Sequence, residues 1–247
     1  MKNIARRIFI TLMFNTVLII LPALLVGAGF VPAAYAQSPE LQQRVADVKQ
    51  AAARNKQALV SYSWTEVVTI SLKGEQKKQE HFQVRLGPDG KPQKTSLDPP
   101  DQTAAPSGGR LKQHVVAKKK EEYQDYAEQM KALAQQYVPP AGDLLQKAYT
   151  QGNVTLGPTA GTPNEVQLAI HNYLKPQDSM TLAFDKTQKA LISLKIASYM
   201  NDPKDAVNLT VQFSRLPDGT NHVQSVVIDG VSKQLNIATQ NSNYQHV

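Results

Sequence analysis

The sequence predicts an α+β protein: a wide twisted antiparallel sheet, a half-open barrel, covered on its concave face by helices. Three observations predict it. Runs near residues 62–72 and across 165–239 alternate apolar and polar side chains. The links between those runs are short and built from Pro, Asp, Asn and Gly. Two stretches of helical periodicity interrupt the strands between about residues 111 and 152. Strands on both sides of such an insertion form one sheet when the inserted helices cover its apolar face.

The chain opens with Lys2, Arg6 and Arg7, then runs almost wholly apolar from Ile8 to Phe30 and closes on Ala34-Tyr35-Ala36. That order predicts a secretory signal peptide over residues 1–36, cut before Gln37, and hence a periplasmic or extracellular protein. The alternative is an uncleaved anchor, since the apolar run can span a bilayer core of ~30 Å. Asn15, Thr16, Pro22, Gly27 and Gly29 weaken it in that role. Removal of the signal leaves residues 37–247 as one expected domain, with membrane contact at most transient. The chain has no cysteine, so neither lipid attachment through a thiol nor a disulfide is available, and the fold must rely on its core. Of 27 Lys and Arg and 20 Asp and Glu, the signal carries three bases and no acid, leaving a surplus of +4. Without an Arg-rich stripe, that surplus argues against a nucleic-acid partner.

After the signal, Ser38-Pro39-Glu40 is a helix start: a capping hydroxyl, a proline at the first position, and an acid for the dipole. Leu41, Val45, Val48 and Ala52 follow at helical spacing through about Asn55. The period then becomes two. Tyr62, Trp64, Glu66, Val68, Ile70 and Leu72 face one way, and Ser and Thr dominate the other. Gly74 and Glu75 turn the chain into a return strand with Phe82, Val84 and Leu86 on one side. Gly87-Pro88-Asp89-Gly90 makes the next turn, and a short strand is expected over Gln93–Leu97.

Asp98 to Gly109 is rich in Pro and Gly and predicts a flexible connection, reaching to about residue 110. A long helix is expected from Leu111 to Tyr137, with Tyr123, Ala127, Met130, Ala134 and Tyr137 on one side and Leu133 in support. Pro139 and Pro140 end it. A shorter helix carries Leu144, Leu145, Ala148 and Tyr149 and stops at Gly152. Six strands then form a meander, over Glu165–Leu174, Ser179–Phe184, Ala190–Met200, Ala206–Leu216, Asn221–Asp229 and Lys233–Thr239.

No recognised catalytic pattern occurs: there is no Gly-x-Ser-x-Gly, no phosphate loop and no His-Glu-x-x-His. The expectation is a non-enzymatic protein with no cofactor and no metal. His81, His171 and His222 sit among polar neighbours and read as solvated. Glu66 is the anomaly, a carboxylate on an apolar strand face. Such a group either acts as an acid or fixes a polar head group, or it lies near a rim with water or a basic partner. The second reading is the better supported. Lys118-Lys119-Lys120-Glu121-Glu122 reads as a solvated helical face with pairs such as Lys118–Glu122.

The order of signal, helix, hairpin, inserted helices and returning sheet resembles the periplasmic lipoprotein-carrier superfamily, half-barrels that shuttle or sense acyl chains. The last strand running into Asn241-Ser242-Asn243-Tyr244 is similar too. The opening hairpin, Tyr62-Ser63-Trp64-Thr65-Glu66 with Leu72-Lys73-Gly74-Glu75, is also similar to secreted bacterial proteins of unassigned function. The resemblance transfers no specific binding residue.

It implies a carrier or sensor of lipid or lipoprotein acyl chains. The ligand surface expected from the alternating pattern comprises Tyr62, Trp64, Glu66, Val68, Ile70, Phe82, Val84, Met130, Leu133, Met180, Leu182 and Phe184. These residues are either filled core or the lining of a cavity. Burying about ten methylenes at ~0.8 kcal/mol each contributes about 8 kcal/mol before ordering costs. The possible partners are therefore a lipid or acylated protein. A cell-envelope interaction module with a solid core and a Ser/Thr-rich outer face is the alternative, with an envelope protein as partner. A hydrolase assembled from separate strands is the third.

Overall fold

The computed structural model describes residues 54–99, 110–138, 140–159, 161–188 and 190–247. The signal, its cleavage site, most of the Ser38–Asn55 helix and residues 100–109 of the predicted connection lie outside the described residues. Ten strands form a single open antiparallel sheet. A helical stretch, 54–60 (α1), leads into β1 (Tyr62–Leu72), β2 (Glu75–Leu86) and β3 (Pro92–Ser96). Helices α2 (Arg110–Tyr137) and α3 (Gly142–Thr150) follow. The rest is β4 (Val154–Thr159), β5 (Thr162–His171), β6 (Ser179–Asp185), β7 (Ala190–Tyr199), β8 (Ala206–Arg215), β9 (Asn221–Gly230) and β10 (Leu235–His246). The order across the sheet is β3-β2-β1-β10-β9-β8-β7-β6-β5-β4, so the first and last strands are neighbours.

Two differences from the sequence reading have clear causes. Val154–Thr159, to which the sequence reading assigned no element, is an edge strand, antiparallel to β5. Its Gly157 and Pro158 are poor strand formers, but both suit an edge, where one side of the backbone needs no partner. The polar stretch Gln240–His246 was expected to be a tail and is strand, because β1 offers it an open edge. Asn243 takes a left-handed φ of 54° at the irregularity opposite Ser63–Thr65. The extra residue shifts the alternation, so that Asn241 faces Glu66 while Tyr244 and His246 still reach the aromatic side chains of β1. The β1–β2 hairpin closes on Lys73 and Gly74, both at positive φ, as a two-residue turn requires.

The concave face divides into two regions. Over one, the second half of α2 buries Tyr126, Met130, Leu133 and Tyr137 against Ile170, Met180, Leu182, Leu194, Ile196, Leu209 and Ile228. The spacing of four, three and four keeps those α2 side chains on one stripe, while residues 118–122 are exposed. Over the other, Leu59 of α1 packs on Trp64, Val84 and Leu86. Asn55 fastens α1 to β9: its Nδ2 donates to the Asn221 carbonyl at 2.9 Å and its Oδ1 accepts from Asn221 N at 2.6 Å.

Polar groups fix α2 at both ends of its buried stripe. Tyr126 Oη donates to Asp205 at 2.6 Å, beside Ser232. Burial and that hydrogen bond hold the Tyr126 phenol up at about 12. Tyr137 Oη donates to Asp178 and pairs with Ser198 at 2.7 Å. Asp178 is buried and also accepts from the amides of Tyr173, Leu174 and Lys175. Glu122 pairs with Lys233 of the β9–β10 turn, rather than with Lys118 as its spacing suggested.

Candidate functional site

Where α2 passes over β1, β2, β3 and β10, a narrow cleft remains. Glu66, Val68, Ile70, Glu80, Lys94, Ala127, Glu128, Lys131, Ile237 and Thr239 line it. Its floor is apolar because Val68, Ile70 and Ile237 project from adjacent strands in register. Its free volume is about 20 Å³, room for about one water molecule and far short of an acyl chain.

At its inner end lies the chemically unusual element. Glu66 sits between Trp64 and Val68 on the buried face, opposite Phe82 and Asn241. It is 1 % exposed and pairs with Lys94, whose side chain is 3 % exposed and stands 5.6 Å over the Phe82 ring. The expected basic partner is therefore there, but the pair is deeply buried rather than at a rim reaching water. Two charges removed from water in this way are held by each other and by hydrogen bonds, with little net gain in stability. Nearer the mouth, burial pushes the Lys131 ammonium down, with Glu128 opposing and Lys94 adding to the shift.

An aromatic cluster occupies the other end of the β1 face. Trp64 and Tyr244 stack at 5.4 Å, Tyr62 meets His246 at 4.1 Å, and His222 meets Tyr244 at 4.2 Å. Tyr62 Oη donates to Asp218 at 2.8 Å, and the Thr220 amide together with this phenol holds the Asp218 carboxyl low. Burial raises the Tyr244 phenol and lowers the His222 imidazole. His222 is thus buried, where its polar neighbours had suggested a solvated side chain. Among the described residues, Trp64 Nε1 and Asn241 Oδ1 are buried without a hydrogen-bond partner.

The residues expected to bind ligand fall into three places. Glu66, Val68 and Ile70 line the cleft. Tyr62, Trp64 and Val84 belong to the aromatic end, with Phe82 packed against both regions. Met130, Leu133, Met180 and Leu182 are core beneath α2, and Phe184 is partly exposed at its margin. Glu80, Lys94, Glu128 and Lys131 were not anticipated. For Lys94 the signal existed: it pairs with Val84 across β2–β3, so extending the alternation of Val84 onto the third strand places it on the buried face. Among the described residues no group of three or more His, Asp or Glu converges as a metal site would require. Within the same residues no helix is long and apolar enough to cross a membrane.

No family model matches the chain, and no curated protein matches it. Among solved structures it is similar to a DUF1329 family protein from Desulfovibrio piger. The identity is 12 % and the TM-score 0.39, over 78 % of this chain and 89 % of that one. Membership of the lipoprotein-carrier superfamily is not established by these comparisons.

Proposed function

We propose that the protein is a non-enzymatic, extracytoplasmic carrier or sensor of an acyl chain, with α2 as the cover of the binding face. The observation that carries the reading is the coverage of the concave face. A sheet with a continuous apolar floor is roofed by α2, inserted in sequence between strands at opposite edges of that sheet. The roof is fastened at its ends by hydroxyl, carboxylate and ammonium contacts with turns and strand ends. Such bonds can be exchanged for water at modest net cost, about 1 kcal/mol each. Displacing α2 would uncover Val68, Ile70, Met180, Leu182 and Ile237.

The test uses the absence of cysteine from the chain. Glu122→Cys and Lys233→Cys place two exposed thiols at an existing contact, and a short bis-maleimide bridges them. Saturable uptake of a fluorescent fatty acid is expected before bridging and not after. Equal uptake before and after would mean that α2 is not the cover. Absence of saturable binding to the unmodified protein would overturn the carrier reading.

The water-sized cleft favours a second reading, in which core and helix stay together and the protein is an envelope interaction module. Its contact surface is then the outer face of the sheet, where Ser63, Thr65, Thr69, Thr210 and Gln212 are partly exposed.

A further inference from the structure

Lys131 is a cation without a matching contact. It is half-buried at the mouth of the cleft, and among the described residues it makes neither hydrogen bond nor ion pair. The other charges around it are accounted for. Glu66 is committed to Lys94, and Glu80 pairs with Lys78 at 2.5 Å. Glu128, exposed and three residues before Lys131 on α2, is the one remaining acid of the lining and stands beyond ion-pair distance. The apolar side chains Val68, Ile70, Ala127 and Ile237 line the same cleft as Lys131. A cation partly stripped of water, with an apolar floor leading away from it, is half of an amphiphile site.

We propose that Lys131 receives the anionic head of a single-chain amphiphile, a long-chain carboxylate, whose tail runs inward over Val68, Ile70 and Ile237. This rests on the carrier reading and adds the class of head group to it. The carboxylate would supply the charge-assisted hydrogen bonds that Lys131 lacks. Lys94 is already held by Glu66 and is not the contact for the head. The downward shift of the Lys131 ammonium agrees with this, since burial outweighs the opposing charge of Glu128 and Lys94 adds to the shift.

Displacement of a fluorescent fatty acid by palmitate and by hexadecanol separates head from tail. The expected result is that palmitate displaces the probe at least about tenfold more effectively, as a partly buried charged hydrogen bond implies. That ratio should fall toward one in Lys131→Met and persist in Lys131→Arg. Equal potency of acid and alcohol in the unmodified protein, or an unchanged ratio in Lys131→Met, overturns the head-group assignment while leaving the carrier reading intact. Failure of both ligands, together with failure of the probe itself to bind, removes the carrier reading and this proposal with it.

Discussion

Gly230 and Tyr126 touch only because position 230 has no side chain. A Cβ placed there would lie 2.9 Å from Tyr126 Oη and 2.7 Å from Met130 Sδ, and the ring edge would be closer still. At this point α2 lies against the backbone of β9 with no room for a side chain between them.

Gly230→Ala should therefore push α2 outward. The expected loss is about 1–3 kcal/mol in urea unfolding, typical of an overpacked contact. The same variant should take up the fluorescent fatty acid faster than the unmodified protein. Unchanged stability and unchanged uptake would mean that α2 yields there without cost.

The Glu66–Lys94 pair makes an asymmetric prediction. Lys94→Met takes the Lys94 counter-charge from a buried carboxylate and should cost about 3–5 kcal/mol. Glu66→Leu with Lys94→Met removes both charges and should recover most of that loss, or exceed the original stability. Denaturant midpoints of the single and double variants read it directly, and a double variant as unstable as the single would assign the pair a structural role.

Asp178 ties the β5–β6 turn to the end of α2. Asp178→Ala strands three amides and the Tyr137 hydroxyl, so a loss of about 2–4 kcal/mol is expected. Tyr137→Phe removes only the hydroxyl bonds and should cost about 1–2 kcal/mol. If the two variants unfold at the same denaturant concentration, the turn amides find other acceptors.

His222 gives the fold a slope in mild acid. Burial lowers its folded-state value below the unfolded one, near 6.5. Above that value both states are neutral and no effect is present. As pH falls below it the unfolded chain takes up a proton first, so stability drops until the folded imidazole also titrates. Urea midpoints between pH 7.5 and 5 should decline in the unmodified protein and flatten in His222→Gln. Asp218 and Asp98, both held low by hydrogen bonds, lose their contributions only as pH falls through the acidic range below the ordinary carboxylate value.

Much of the sheet was legible because its strands alternate strictly. Tyr62 to Leu72 could be assigned to faces residue by residue, and the burial pattern follows that assignment through Val68. Where pairing rather than propensity decides, the sequence misleads. Gln240–His246 carries no apolar alternation, yet it is strand because β1 lies beside it. His222 looked solvated because its neighbours are polar, yet it is buried beside Gln224, which has no partner where the β8 register shifts between Gln212 and Phe213. The cleft was half legible. Glu66 was conspicuous against its apolar neighbours, but Lys94 lies on a strand of five residues, too short to show a face by itself. Lys131 follows Met130 on α2, and only the placement of that helix over β2 and β3 brings it to the cleft.

The adjacency of β1 and β10 sets a timetable for assembly. While the chain is being synthesised, the β1–β3 ribbon exists long before the 12-residue strand that joins it to the rest. Until those last residues arrive, the Trp64 edge has open backbone groups and an uncovered aromatic surface, a target for chaperones and proteases. Final docking is thus a late, long-range step, of the kind that makes sheet proteins fold over milliseconds to seconds. Loss of even the final strand would leave two partial sheets with no seam between them.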